Sequence, residues 1–234
     1  MNFSHRPLGR EIARYADHIG QYPYRVVRRV VVEKVLAVPD EHIYDQNGFG
    51  ACVGAALSGV MTYYNGKLYK WEWLWRKAKQ WDDFPDTIYS DDNGTSAVGA
   101  CRVLKKFGHI VQGKRLPSKS EGIKEYRWLS TIDQIRDAIS RGYPVAFGCN
   151  WYSNFDTPRK YKGESWIGRS KNLGILRGGH ETYFVGNSDK RRALLLCNSW
   201  GTDYGDKGKV WIGWDVVERL MREMGDLMAV TDRI

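Results

Sequence analysis

The chain has 234 residues, 42% of them hydrophobic and 27% charged, with a formal net charge of +9. That length supports one substantial core or two lobes sharing a cleft, and the composition is that of an ordinary globular protein. No run approaches the ~20 apolar residues of a membrane-spanning helix, and the polar, mixed-charge start MNFSHRPLGREIARYADHIG does not read as a signal peptide. A cytoplasmic location with no membrane partner is therefore expected. The positive excess is scattered, and we read it as steering toward acidic or anionic-polymer partners rather than as a nucleic-acid footprint. The four cysteines, at 52, 101, 149 and 197, form no C-x-x-C pair. Free thiols, no disulfide framework and no metal site or cofactor follow.

In chain order, residues 1–24 are polar and weakly patterned, with a short helix predicted around Arg10–Ile19. The β-branched run RVVRRVVVEKVLAV (25–38) predicts a strand ended by Pro39. From Cys52 to Tyr64 the apolar residues fall at helical spacing and Asn65-Gly66 stops them; Gly48 and Gly50 just before put Cys52 at the helix N-terminus. LYKWEWLWRKAKQW predicts a second helix, with Trp71, Leu74, Trp75 and Ala78 on one face. A turn-rich loop leads to a third, SAVGACRVLKKFG, closed by Gly108. Beyond it, HIVQGKRL, PVAFGCNW, TYFVGN, RALLLCNSW and KVWIGW read as strands. One more helix, TIDQIRDAISRG, is capped by Thr or Ser and ended by Gly142. Helices first and strands second predict an α+β chain with two unlike lobes.

The candidate chemistry is nucleophilic. Cys52 closes QNGFGAC, His180 lies 128 residues later in GGHETYFVGN, and Asn198, 146 residues after Cys52, opens NSWGTDYGDKG. A thiol needs a base, and the base needs a group that fixes its ring. The helix N-terminus and a nearby imidazolium would both lower the thiol's pKa. Gln46 can supply an oxyanion donor beside the Cys52 backbone N–H, and Trp200 can shield the His–Asn bond from water. Singly, each residue has a plainer reading as buried small hydrophobe, structural His or strand exit; it is their joint occurrence that points to a site.

Together these residues resemble the papain family of cysteine peptidases, whose His and Asn lie ~130–150 residues beyond the Cys. QNGFGAC resembles the family's oxyanion Gln and G-x-C step, and DNGT its substrate-backbone loop. GYPVAFG resembles a strand lining the cleft, YKGESWIG the segment before the His, and NSWGTDYGDKGKVWI the most specific block. The likeness spans about residues 40–215. It implies a papain-like two-lobe fold with a helical lobe over about 41–110, a β-rich lobe over about 111–234, and a cleft between. Residues 1–40 would be an arm and crossing strand. The first ~20 either pack simply or fold over the cleft as a short inhibitory segment, in a chain without the family's long propeptide.

By the same resemblance Cys52 is the nucleophile, His180 the base and acid, Asn198 the orienting residue and Gln46 the oxyanion donor. Asn93, Gly94, Thr95, Gly148, Gly179, Glu181 and Trp200 border the substrate. Thr95 stands where the family has a second Gly, and its Cβ is expected to restrict main-chain pairing. Phe49 and Asp92 replace two disulfide cysteines, and Val53 replaces an aromatic. Gly148 and Glu181 imply a roomy, partly acidic pocket. The implied reaction is peptide hydrolysis through a Cys thioester, on protein or peptide substrates. The alternatives are the same chemistry on another amide (a peptidoglycan cross-link, an isopeptide bond, acyl transfer), or a catalytically silent binding protein on this fold.

Overall fold

A computed structural model describes residues 3–11, 23–26, 33–84 and 93–234. Its central helix, α1 (Cys52–Asn65), is built from small and apolar residues and is buried from Cys52 through Thr62. Gly66 ends it in the left-handed conformation (φ 63°), returning its N–H to the Thr62 carbonyl. Gly54 lets α2 (Trp71–Ala78) approach, because a Cβ there would press on the Trp71 carbonyl and the Trp75 side chain. The third helix, α3 (Ala97–Phe107), starts at Ser96, whose Oγ accepts from the Gly99 N–H, and stops at Gly108. These three helices form the first half of the domain.

The second half is a mixed sheet. Its strands are β1 (Lys34–Val35), β2 (Ile123–Trp128), β3 (Val145–Tyr152), β4 (Arg159–Tyr161), β5 (Glu164–Ile167), β6 (Leu176–Ser188), β7 (Ala193–Cys197), β8 (Lys209–Gly213) and β9 (Asp226–Arg233). They run in the order β2-β9-β3-β6-β7-β8-β5-β4, with β1 pairing β6, and all pairs are antiparallel except β5–β8. Helices α4 (Ile132–Ser140), capped by Thr131, and α5 (Trp214–Arg222) complete the fold. α1 packs on α2, α3, β3 and β6, so one continuous core runs beneath both halves.

Several elements depart from the sequence expectation. HIVQGKRL is not a strand: Gly113 turns the chain (φ 84°), Lys114 N–H bonds the Val111 carbonyl, and only isolated bridges from His109 and Val111 remain. In the run 25–38 the described strand is Lys34–Val35, and residues 27–32 lie outside the described residues. The expected helix around 10–19 falls on residues 12–19, also outside them, while Arg10 forms a bridge to Thr95 instead. Strands β2, β4, β5 and β9 and helix α5 were not expected. In β2 and β4 charged residues interrupt the apolar alternation that marks a strand.

His109 locks the helix bearing Cys52. Its Nδ1 accepts from the Ile110 N–H (2.8 Å), so Nε2 carries the proton and donates to Ser58 Oγ on α1 (2.8 Å). Burial pushes the imidazole's pKa down to about 3. The unfolded chain binds this proton near pH 6.5 and the fold does not, so stability is full above that pH and falls on acidification toward pH 3. At full linkage the slope is about 1.4 kcal/mol per pH unit for one such histidine. Urea unfolding between pH 6.5 and 5 is expected to show that loss, and His109→Gln to reduce the slope.

Candidate active site

Cys52 is the first residue of α1, and neighbouring strands deliver its partners. Cys149 on β3 pairs in register with His180 on β6, and Asn198 directly follows β7, whose Cys197 pairs with Tyr183 of β6. Asn198 Oδ1 accepts from the Ser199 N–H (2.8 Å), which fixes it as the amide oxygen. The contact of 2.8 Å to His180 Nε2 is then an N–H···O bond, leaving the lone pair on Nδ1, which has no hydrogen-bond partner. Trp200 lies 5.1 Å and Trp151 4.6 Å from the imidazole, ring centre to ring centre, and both tryptophans are fully buried. In this dry enclosure the His–Asn bond is protected from exchange with water.

Gln46 is aimed by the same block. Its backbone N–H bonds the Ser199 carbonyl (2.9 Å), and Ser199 Oγ donates to Gln46 Oε1 (2.7 Å). Nε2 therefore points away from Ser199, donating to the carbonyls of Phe49 (2.8 Å) and Pro7 (3.2 Å). Asn198 and Ser199 thus tie His180 and Gln46 together, and Gln46 reaches the Phe49 carbonyl shortly before Cys52 at the start of α1.

The chain's own N-terminal segment, residues 3–11, fills the groove above them. Phe3 stacks on Trp200 (5.7 Å, 17° between planes), and Arg6 holds Asp45 through both carboxylate oxygens (2.6 and 3.0 Å). Arg177 Nη2 donates to the Ser4 and Arg6 carbonyls. Thr95 N–H bonds the Gly9 carbonyl (2.9 Å), Glu11 N–H the Thr95 carbonyl (3.0 Å), and Arg10 N–H the Gly179 carbonyl (3.2 Å). The Thr95 Cβ does not restrict this pairing, contrary to expectation, because its hydroxyl turns away to Asp82 (2.5 Å) and leaves the backbone edge open. Gly9 is wedged between Gly50 and Gly94, where a Cβ on Gly9 would strike the Gly50 carbonyl and one on Gly94 the Gly9 carbonyl. Asn93 contributes its carbonyl to Trp75 Nε1 (3.2 Å).

Electrostatics follow from this burial. The backbone N–H groups of Gly9 and Glu181 stabilise a Cys52 thiolate, but burial outweighs them and pushes the thiol up to about 12. Burial also pushes His180 down to about 4, against the opposing effect of its hydrogen bond to Asn198. The sequence predicts a lowered thiol pKa; with the groove filled, desolvation reverses it and the pair is neutral.

Gly148 and Glu181 lie together with two residues that the sequence reading missed, Arg10 and Asp226. Arg10 Nη2 donates to Asp226 (2.8 Å), and Glu181 is 3.7 Å from Arg10 Nε. Burial and the charge of Asp226 raise the Glu181 pKa well above the carboxylate range, and Arg10 offsets part of this. Nothing in the polar N-terminal stretch, or in an acid opening the strand DLMAVTDR, marks either residue.

No family model matches the chain. Cathepsin B-like cysteine proteinases 1 and 2 of Haemonchus contortus are 29% and 28% identical over 125 residues, 53% of this chain. The chain spans only about a third (34%) of their length. Among solved structures, xylellain, a cysteine protease from Xylella fastidiosa, superposes with a TM-score of 0.77 at 18% identity, covering 100% of this chain and 98% of that one. This is the papain-like fold. Procathepsin B S9 of Trypanosoma congolense (TM-score 0.67, 16% identity, 99% and 88% coverage) has it too. So does procathepsin L 3 of Tenebrio molitor (0.63, 16%, 98% and 77%). On this papain-like frame the N-terminal segment pairs with the backbone at Thr95 and Gly179.

Gly94→Ala is expected to eject residues 3–11, since the new methyl and the Gly9 carbonyl cannot share the space. Limited proteolysis should then cut within those residues roughly tenfold faster or more, following the open population, while unfolding of the body is little changed.

Proposed function

We propose that this chain is a papain-like cysteine peptidase whose cleft is closed by its own N-terminal arm. The observation that carries the reading is that the site already holds a peptide. A peptide carbonyl, that of Pro7, sits on Gln46 Nε2, and the Gly9 backbone lies near enough to Cys52 to favour its thiolate against burial. A groove that pairs with main chain through Thr95 and Gly179 suits protein or peptide substrates. While the arm is in place the Pro7 carbonyl occupies the Gln46 amide that a substrate oxyanion would need.

With the arm displaced, water and substrate reach the pair, and the desolvation that keeps it neutral is relieved. His180 Nδ1 takes the Cys52 proton, and the thiolate adds to the substrate carbonyl, forming the S–C bond. Gln46 Nε2 and the Cys52 N–H receive the oxyanion. The C–N bond breaks as His180 returns the proton to the leaving amine. Water, deprotonated by His180, then cleaves the thioester and regenerates the thiol. Asn198 holds the ring for both transfers.

The division into arm, helical lobe and β-rich lobe supports this scheme, because Cys52 comes from the helical side and His180 and Asn198 from the sheet. The four cysteines, buried and free, suit a reducing, cytoplasmic setting.

A Gly9→Val chain is expected to react with an epoxide thiol inhibitor and to cut a mixed peptide library at least tenfold faster than the parent, with both activities lost on adding Cys52→Ala. Adding Gln46→Ala instead should cost ~10²–10³ in kcat/KM. A folded Gly9→Val chain that neither labels nor cleaves would overturn the peptidase reading. Equal rates for Gly9→Val and the parent would overturn closure by the arm.

A further inference from the structure

Part of the chain's positive excess is left uncompensated beside β4 and β5. Arg159 and Tyr161 stand two residues apart on β4, so they share a face, and Arg159 is in register with Trp166 of β5. The Arg169 guanidinium, from the loop after β5, lies over Tyr161 (3.6 Å to the ring centre) and over Trp166 (5.0 Å). Two guanidinium groups from separate elements are thus gathered around one tryptophan. They border a cavity of about 310 Å³ that Asn154, Ser170 and Asn172 also line and no carboxylate lines.

The nearby acids are engaged elsewhere. Glu164, on the same face as Trp166, is held through both oxygens by Arg191 (3.0 and 2.8 Å). Asp206 accepts from the Ser165 N–H (2.6 Å) and pairs with Lys160, which points to the other face of β4. Among the described residues neither Arg159 nor Arg169 has a carboxylate partner. The polar lining is biased the same way. Asn172 Oδ1 accepts from the Gly174 N–H (2.9 Å) and Ser170 Oγ from the Asn172 N–H (3.2 Å). Their acceptors are occupied, and the Asn172 side-chain N–H groups and the Ser170 hydroxyl are left to donate. Asn154 Nδ2 donates to the Asn172 carbonyl (3.0 Å) and ties the loop down. Trp166 is only 6% exposed, and its Nε1 donates to nothing. A buried N–H without an acceptor is uncommon in a finished fold. Here it stands in the wall of a cavity whose other free groups are cations and donors.

We propose that this cavity binds a phosphate group, free or as a monoester, between the guanidinium forks of Arg159 and Arg169. One carboxylate offers two oxygens and is filled by a single fork. A phosphate monoester offers three terminal oxygens and close to two negative charges, enough for both forks and the remaining donors. The cavity lies on β4, β5 and the loop after β5, while the arm pairs at Thr95 and Gly179. It is a second binding site, and its existence does not rest on the peptidase reading.

The test is calorimetric titration of the full chain in phosphate-free, low-salt buffer with inorganic phosphate, glycerol 3-phosphate, phosphoserine and acetate. Saturable one-site binding of the phosphate compounds is expected, roughly tenfold or more tighter than that of acetate. Arg159→Ala and Arg169→Ala should each weaken it roughly tenfold or more. Trp166→Phe, which keeps a ring and removes the N–H, should weaken it severalfold. Lys160→Ala removes the same charge from the other face of β4 and should leave binding unchanged. Both arginines are exposed, so their variants should keep the parent's unfolding midpoint. Tighter binding of inorganic phosphate than of its esters would name the free ion as the ligand, and the reverse order a phosphate carried on a larger molecule; either order supports the site. Equal affinity for phosphate and acetate, or no saturable binding, overturns it. So does a loss with Lys160→Ala as large as with either arginine variant, because the chain's overall charge would then be the whole attraction.

Discussion

The close approach of three glycine backbones, with Gly9 lying between Gly50 and Gly94, governs everything else in the cleft. Only without side chains can the arm sink far enough for its amides and carbonyls to reach Thr95, Gly179 and Gln46. Its depth in turn sets the burial of Cys52 and His180. Because that burial is the largest influence on both pKa values, one steric fact converts a pair suited to ionisation into a neutral thiol and a neutral imidazole. Closure therefore needs no distortion of the site: the His180–Asn198 bond is formed and Gln46 is aimed while the arm is in place.

The arm's hold is distributed. A stacked Phe3, a bidentate Arg6–Asp45 pair and the Arg177 contacts to two carbonyls anchor its outer part, and Arg10 with the carboxylate pocket anchors its inner part. Because the arm is tethered to the domain, modest contacts act at high effective concentration. The partly exposed Arg6–Asp45 pair adds little by itself. The Arg10 pocket is different: its charges are dry, so losing one partner strands the other.

Much of the site was legible in the sequence because its chemistry is concentrated in short runs. QNGFGAC brings the oxyanion donor and a helix-starting thiol within six residues, and NSWG supplies the orienting Asn, the serine that aims Gln46 and the shielding Trp. Helices α1 to α4 were legible from periodicity and from their stop or cap residues: Gly66, Ser96, Gly108, Thr131. What escaped depends on contacts distant in sequence. Arg10 and Asp226 are 216 residues apart and meet only through the sheet. The consequence of Thr95 was misjudged because nothing in the residue types of the α2–α3 loop tells that Asp82, 13 residues earlier, draws its hydroxyl aside. The direction of the Cys52 shift was misjudged because no local signal tells that a distant segment seals the cleft.

The central claim, that the arm keeps the Cys52–His180 pair neutral by burying it, is tested most directly by the pH profile of Cys52 alkylation, followed by peptide mass spectrometry. In the parent chain Cys52 should stay essentially unmodified by iodoacetamide from pH 5 to 9. In Gly9→Val it should react at a rate already on its plateau near neutral pH, as an imidazolium-paired thiolate does. Superimposable profiles for the two chains would contradict the account.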